Sequence, residues 1–159
     1  MNTVIDQYGQ ILLEAMGQTL LLALYGLLFA CILGLIFGML SVVKNKVCNV
    51  IAYIFVYAIR GVPMIVLAFF IFFGVPYLFN TIFEGLFAEK ITLTALQAGT
   101  ACLALNCGAY MSEIIRAGIQ SVDSGQMEAA RSLGMTYWRS MFKVVLPQAI
   151  RTMIPSIIN

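Results

Sequence analysis

The sequence predicts an all-α, polytopic membrane helix bundle. Three observations carry that expectation. Apolar residues fill 62% of the 159 positions and charged residues only 10%, where a soluble domain is about a quarter charged. Several uninterrupted apolar runs reach the roughly 20 residues a helix needs to cross the hydrocarbon. Lysine and arginine collect in alternate connections, as they do where one set of loops stays in the cytoplasm.

Taken in order, residues 1–14 carry only Asp6 and Glu14 as charges, so the basic start of a cleaved signal peptide is missing and the first hydrophobic segment is expected to stay. Residues 17–43, uncharged over 27 positions, form the first span. Residues 47–78 are apolar except for Asn49 and Arg60; as one helix they would reach about 48 Å, too long for one crossing. Arg60-Gly61-Val62-Pro63 supplies the break, because proline suits a helix start and an arginine at mid-bilayer costs roughly 2.5–3.5 kcal/mol. Arg60 is therefore expected near an interface, at the end of an interfacial helix bearing Tyr53 and Tyr57. The second span follows at 63–79, a connecting loop at 80–90, a third span at 92–115, and a fourth at 144–159 that reads as cut short. Gly26, Gly34, Gly38 and Gly61 are read as sites of close helix approach.

Lys44 and Lys46 follow the first span, and Arg116, Arg131, Arg139 and Lys143 follow the third, whereas the opposite loop sets Lys90 against Glu84 and Glu89. The N-terminus is accordingly expected outside, and the connection 116–143 in the cytoplasm. Within it, Asp123 with Gln126 three positions later signals a helix start, Gly134 a helix end, and Thr136 a cap for a second helix near Tyr137. A short helix at about 124–134 follows. Its small residues Ala129, Ala130 and Gly134, with Met127 and Leu133, suit either a connector resting on headgroups or a helix entering a groove on a partner. Cys31, Cys48, Cys102 and Cys107 form no Cys-x-x-Cys pair and there is no histidine, which argues against zinc sites and most general-base chemistry.

Glu128-Ala129-Ala130, three residues, Gly134, nine residues, Val144, one residue and Leu146-Pro147 together resemble the EAA signature of bacterial ABC importer permeases, with valine at 144 where isoleucine is usual. Further stretches resemble the branch serving histidine, glutamine, glutamate, arginine, opines and related polar amino acids. These are Arg60-Gly61-Val62-Pro63 followed by FFIFFGVP at 69–76, Gly108-Ala109-Tyr110 with Glu113 and Arg116, Gly125-Gln126, and Leu146-Pro147-Gln148-Ala149 with Arg151, Pro155 and Asn159. Valine stands at 62 where threonine is commoner. The resemblance runs from about Gly17 to Asn159.

That resemblance implies a type I importer permease fold, one transmembrane permease domain over 1–159 lacking the rest of the fourth helix and a further span. It implies a multi-pass subunit of the bacterial cytoplasmic membrane that is not itself an enzyme. Its partners would be a second permease subunit, identical or paralogous, a cytoplasmic ATPase dimer, an extracytoplasmic amino-acid-binding protein and lipid, with no nucleic acid. Gln126, Glu128, Ala129, Ala130, Leu133 and Gly134 would form the ATPase-coupling helix. The chain carries no Gly-x-x-x-x-Gly-Lys-Ser/Thr loop, so ATP and magnesium would belong to the partner and no cofactor or metal to this chain.

For the substrate path, Asn106, Tyr110 and Glu113 fall on one helical face. The stripe either lines the pathway or ties helices together, with Glu113 pairing to Arg116 at i+3. Arg60 is a headgroup anchor, an ATPase contact or a gate support, and Arg116 joins it as interface or gate support. The coupling signature is shared by permeases for other small solutes; the Arg-Gly-x-Pro and Gly-Ala-Tyr matches favour polar amino acids. A gradient-driven transporter would call for acidic residues buried mid-span, and 17–79 holds none.

Overall fold

A computed structural model of the chain describes residues 2–84 and 90–158, with side chains from Tyr8 onward. Part of the expected 80–90 connection, at 85–89, and Asn159 of the expected fourth span lie outside the described residues. Six helices follow one another, and the described residues include no strand. They are α1 (Asn2–Leu40), α2 (Lys46–Arg60), α3 (Met64–Ile82), α4 (Ala95–Gln120), α5 (Ser124–Ser132) and α6 (Tyr137–Ile158).

Helix α1 begins well before the expected position 17 and stops three residues short of 43, since nothing in 2–16 breaks a helix while the Lys44-Asn45-Lys46 turn does. The chain leaves α1 with the Ser41 hydroxyl donating to Gly38 O at 2.6 Å, and Asn45 then caps α2 by accepting from Val47 N at 2.9 Å. At 39 residues α1 is about 58 Å long, more than the hydrocarbon requires.

Helices α1 and α4 form the central pair. Gly26, Gly34 and Gly38 of α1 abut Leu103, Met111 and Ile115 of α4, and Gly99 of α4 abuts Leu22, so each α1 residue meets the residue 77 positions later. A constant positive offset means the two helices run parallel. Side chains at those glycines would strike α4, the close approach that small residues permit between membrane helices. Gly61 differs: its neighbour is the Tyr57 carbonyl of its own helix, so it ends α2 rather than packing helices.

Parallel α1 and α4 leave one return crossing between them, and α2 and α3 share it. The break falls at 61–63 as expected, with Gly61 N donating to Tyr57 O at 2.9 Å and Pro63 preceding α3. Helix α2 is not the flat interfacial helix the sequence suggested. It starts just after α1 ends, Phe55 stacks on Phe37 at 3.8 Å, and Arg60 reaches Tyr110, so α2 climbs along α1 and α4 as the lower half of a discontinuous helix. Cys102 Sγ meets Met64 O at 3.6 Å as α3 takes over. At the far end Asn80 brackets the connection, donating to Ile91 O at 2.9 Å and accepting from Ile91 N at 2.8 Å.

Two further boundaries moved. Helix α4 starts at Ala95 rather than 92, because Thr94 caps it and exchanges side-chain and backbone hydrogen bonds with Gln97; it runs past 115 to Gln120. Helix α6 starts at Tyr137, where a second helix was expected, and runs on unbroken into the span expected from 144. Phe70–Gly74 in α3 and Met141–Val145 in α6 are widened π turns, each ending two residues before a proline, Pro76 or Pro147. Proline offers no N–H and crowds the carbonyl four residues back; an extra residue in the preceding turn relieves both, so each helix continues through its proline.

Helices α1, α3 and α6 each contain a stretch long and apolar enough to cross a membrane: Tyr8–Leu40, Met64–Ile82 and Tyr137–Ile158. Helix α4 has the length, at 26 residues, but is less apolar because it is the hub. Its buried face is Ala98, Cys102, Ala104, Gly108, Ala109, Ser112 and Gly118 with Ile115 and Ile119, and it touches α1, α2, α3 and α6.

Candidate functional site

Two features stand out around the lower ends of α4 and α6: a short exposed helix and a polar hollow. The helix is α5. Asp123 starts it, its carboxylate accepting from Gly125 N at 2.6 Å. No capping box forms, because Gln126 is engaged elsewhere: its side-chain oxygen accepts from Gln148 Nε2 of α6 at 3.2 Å. Gly134 stops the helix at φ +80°, a region costly for other residues. Gly134 N donates to Arg131 O at 3.0 Å and Met135 N to Ala130 O at 3.2 Å, the paired bonds of a Schellman ending. Thr136 precedes α6, but its side chain caps nothing; its carbonyl accepts from Ser140 N and Oγ instead.

Helix α5 has two faces. Ala130 is only 4% exposed, and Met127 packs on a core of Ile115, Ile119, Met141, Val145, Ala149 and Met153 shared by α4 and α6. The smallness of Ala130 therefore serves packing within this chain. Gln126, Glu128, Ala129, Leu133 and Gly134 are exposed, Leu133 at 84%, and no atom lies within 4 Å of where a Gly134 Cβ would stand. A large apolar side chain at such exposure on a helix between two spans is a surface suited to a partner.

The hollow lies further along the same two helices, where α2 joins them. About 500 Å³ opens between α2, α4 and α6, with Arg60, Tyr110 and Glu113 on one side and Thr152 and Ser156 on the other. A second recess of about 340 Å³ continues past the same Arg60, Tyr110 and Glu113 toward Tyr57. The Arg60 guanidinium sits 4.5 Å from the centre of the Tyr110 ring, a cation–π arrangement. Glu113 accepts from Arg116 through both oxygens, at 3.1 and 2.7 Å, and Arg116 also donates to Gln120 at 3.0 Å. Arg60 is near enough to Glu113 to bear on it electrostatically.

Arg60 thus stands beside Tyr110, ten positions and about 15 Å of helix before the end of α4. Its cost there is offset by the ring, by Glu113 and by the carbonyl end of α2, whose last turn it occupies. Tyr110 and Glu113 line the hollow; Asn106 lines neither recess and makes no side-chain hydrogen bond among the described residues. Arg116 holds Glu113 from behind rather than lining the space. Thr152 and Ser156 escaped the sequence reading, although Gln148, Thr152 and Ser156 recur every fourth residue along α6 and mark a polar stripe. Among the described residues, no three histidine, cysteine, aspartate or glutamate side chains gather as a metal set would.

Comparison with known proteins follows the same lines. Residues 15–159 match the family described as the binding-protein-dependent transport system inner membrane component. The chain is similar to the putative glutamine transport system permease protein of Rickettsia prowazekii (strain Madrid E), 39% identical over 126 residues that cover 77% of this chain and 53% of that protein. It is similar to the probable glutamine ABC transporter permease protein of Bacillus subtilis (strain 168), 43% identical over 101 residues, 64% of this chain and 42% of that one. The L-cystine transport system permease protein of the same organism is 42% identical over 106 residues, 67% and 41%. The chain spans about half the length of these relatives. Among solved structures it is similar to a crystal structure of an amino acid ABC transporter with histidines, at TM-score 0.74 and 32% identity, covering 98% of this chain and 67% of that one.

Proposed function

This chain belongs to the family of binding-protein-dependent transport system inner membrane components, and from that premise we propose that it is the permease subunit of an ATP-binding cassette importer carrying polar amino acids across the cytoplasmic membrane. The observation that carries the reading is α5: a nine-residue helix between two membrane helices, its inner face on the α4–α6 core and Glu128, Ala129 and Leu133 turned outward. In this reading the outward face, with Gln126 and Gly134, docks on a cytoplasmic ATPase. ATP and magnesium are used there, and this chain hydrolyses nothing and binds no cofactor. A second permease subunit completes the pathway, an extracytoplasmic binding protein delivers the amino acid, and the N-terminus lies outside.

Movement of a docked α5 would reach α6 directly. Met127 packs on the α4–α6 core, and Gln126 is bonded to Gln148. Thr152 and Ser156 sit further along α6, on the wall of the hollow facing Arg60, so rotating α6 against α2 changes its width. A rigid element with two arrangements of this kind is how alternating access proceeds. The lining suits a zwitterion: the Arg60 fork can hold a carboxylate, while the Tyr110 ring and Glu113 favour an ammonium group.

The test is ATPase activity of the chain reconstituted with its ATPase and binding protein while single amino acids are added. Stimulation by one polar amino acid supports class and cargo together. Coupling to the ATPase with no amino-acid response keeps the importer and removes the cargo; no coupling at all removes both.

A further inference from the structure

A third concavity, of about 290 Å³, lies between the α1–α2 turn and the start of α6, lined by Val43, Lys44, Arg131, Tyr137 and Trp138. Two cations face it and no carboxylate does. Neither Lys44 nor Arg131 forms an ion pair among the described residues; the one bond given to the Arg131 guanidinium is to Met135 O, at 3.4 Å. Tyr137 and Trp138 are the amphipathic aromatic residues that favour headgroup depth. Trp138 also stacks on Phe142, 6.1 Å away and half exposed, so the concavity runs on into the outer apolar face of α6.

We propose that this concavity binds the phosphate of an anionic phospholipid, Lys44 and Arg131 holding the headgroup while Trp138 and Phe142 lie along the acyl chain. Basic hollows between membrane helices on the cytoplasmic side select such headgroups. The apolar continuation through Trp138 and Phe142 along the outer face of a membrane-crossing helix is the surface an acyl chain covers, which favours a lipid. The inference rests on the cytoplasmic placement of the α4–α6 connection proposed above. A lipid in this position would tie the end of α1 to the start of α6, beside the helix that docks.

The test is native mass spectrometry of the full chain from nanodiscs of phosphatidylcholine with phosphatidylglycerol as the minor lipid. The expected result is retained phosphatidylglycerol. Retention should fall about fivefold for Lys44→Gln or Arg131→Gln and about thirtyfold for both together. The pair Lys44→Arg with Arg131→Lys should keep it, which separates lost charge from lost folding. Unchanged retention in the double glutamine variant, or equal retention of phosphatidylcholine, would overturn the proposal. Displacement by inorganic phosphate would overturn it in favour of a free-anion site, and weaker ATPase binding with lipid retention intact in favour of a protein contact. Because retention is read without regard to sidedness, labelling of Leu133→Cys from either face tests the orientation separately.

Discussion

Helix α5 and the polar hollow both border α4 and α6 and are assembled in opposite ways. Everything that shapes α5 is near it in sequence: Asp123 starts it, Gly134 stops it, and Met127 packs on the core of its flanking helices. The hollow gathers Arg60, the Tyr110 and Glu113 pair, and the Thr152 and Ser156 pair from three helices far apart in the chain. One region is thus held by local hydrogen bonds and a shared apolar core, the other by packing that brings polar groups together. It follows that they should fail differently: damage to α5 should break coupling and leave substrate recognition intact, while damage to the hollow should do the reverse.

The largest effect expected is at Arg60. Arg60→Met removes the cation from a partly enclosed site, where hydrogen bonds to charged groups contribute about 1.5–3 kcal/mol. Uptake in proteoliposomes should fall roughly tenfold to a hundredfold, with the amount of subunit in the membrane unchanged; normal uptake would remove Arg60 from the pathway. Next comes Gly134→Val, which forces a branched residue into a conformation costing about 1–2 kcal/mol. ATP hydrolysis should continue while transport drops by about tenfold, and Gly134→Asn, which tolerates positive φ, should restore most of it. Since no atom crowds that position, equal damage from both substitutions would point to the partner's surface rather than backbone strain.

Smaller effects divide the original polar stripe. Tyr110→Ala and Glu113→Gln should raise the KM for uptake by several-fold, about 1 kcal/mol each, whereas Asn106→Ala should leave it unchanged, because only the first two line the hollow. A KM shift at Asn106 would show that the path runs higher along α4. Smallest is Gln148→Leu, which removes one hydrogen bond to Gln126 and should lower coupling by about two- to fivefold without altering KM. Coupling unaffected by that change would assign the link to the packing of Met127 on the α4–α6 core.

These two regions were unequally legible in the sequence. The start and stop of α5 are local chemistry, and Asp123 and Gly134 stood where the structure uses them. The break at 61–63 was equally plain, as glycine and proline act on their own backbone. That the helix expected near Tyr137 and the span expected from 144 form one continuous α6 was not legible, because a π turn absorbs Pro147; a widened turn depends on whether the surrounding helices hold the segment together, which no local pattern records. Arg60 was assigned to an interface on its solvation cost alone. Tyr110 and Glu113, the groups that offset that cost, lie about fifty positions away, so its neighbours needed the fold. Parallel packing of α1 on α4 was partly visible in Gly34 and Gly38, but their partners Met111 and Ile115 carry no mark of the pairing.

The most direct test of the account is cysteine labelling at Leu133, the exposed apolar residue on the proposed docking face, in a chain whose four native cysteines have been replaced by serine or alanine. A membrane-impermeant maleimide should modify Leu133→Cys only from the cytoplasmic side, and bound ATPase should protect it. Modification from the outer face, or modification from the cytoplasm that the ATPase does not slow, would contradict the assignment of α5 as the helix through which the importer is driven.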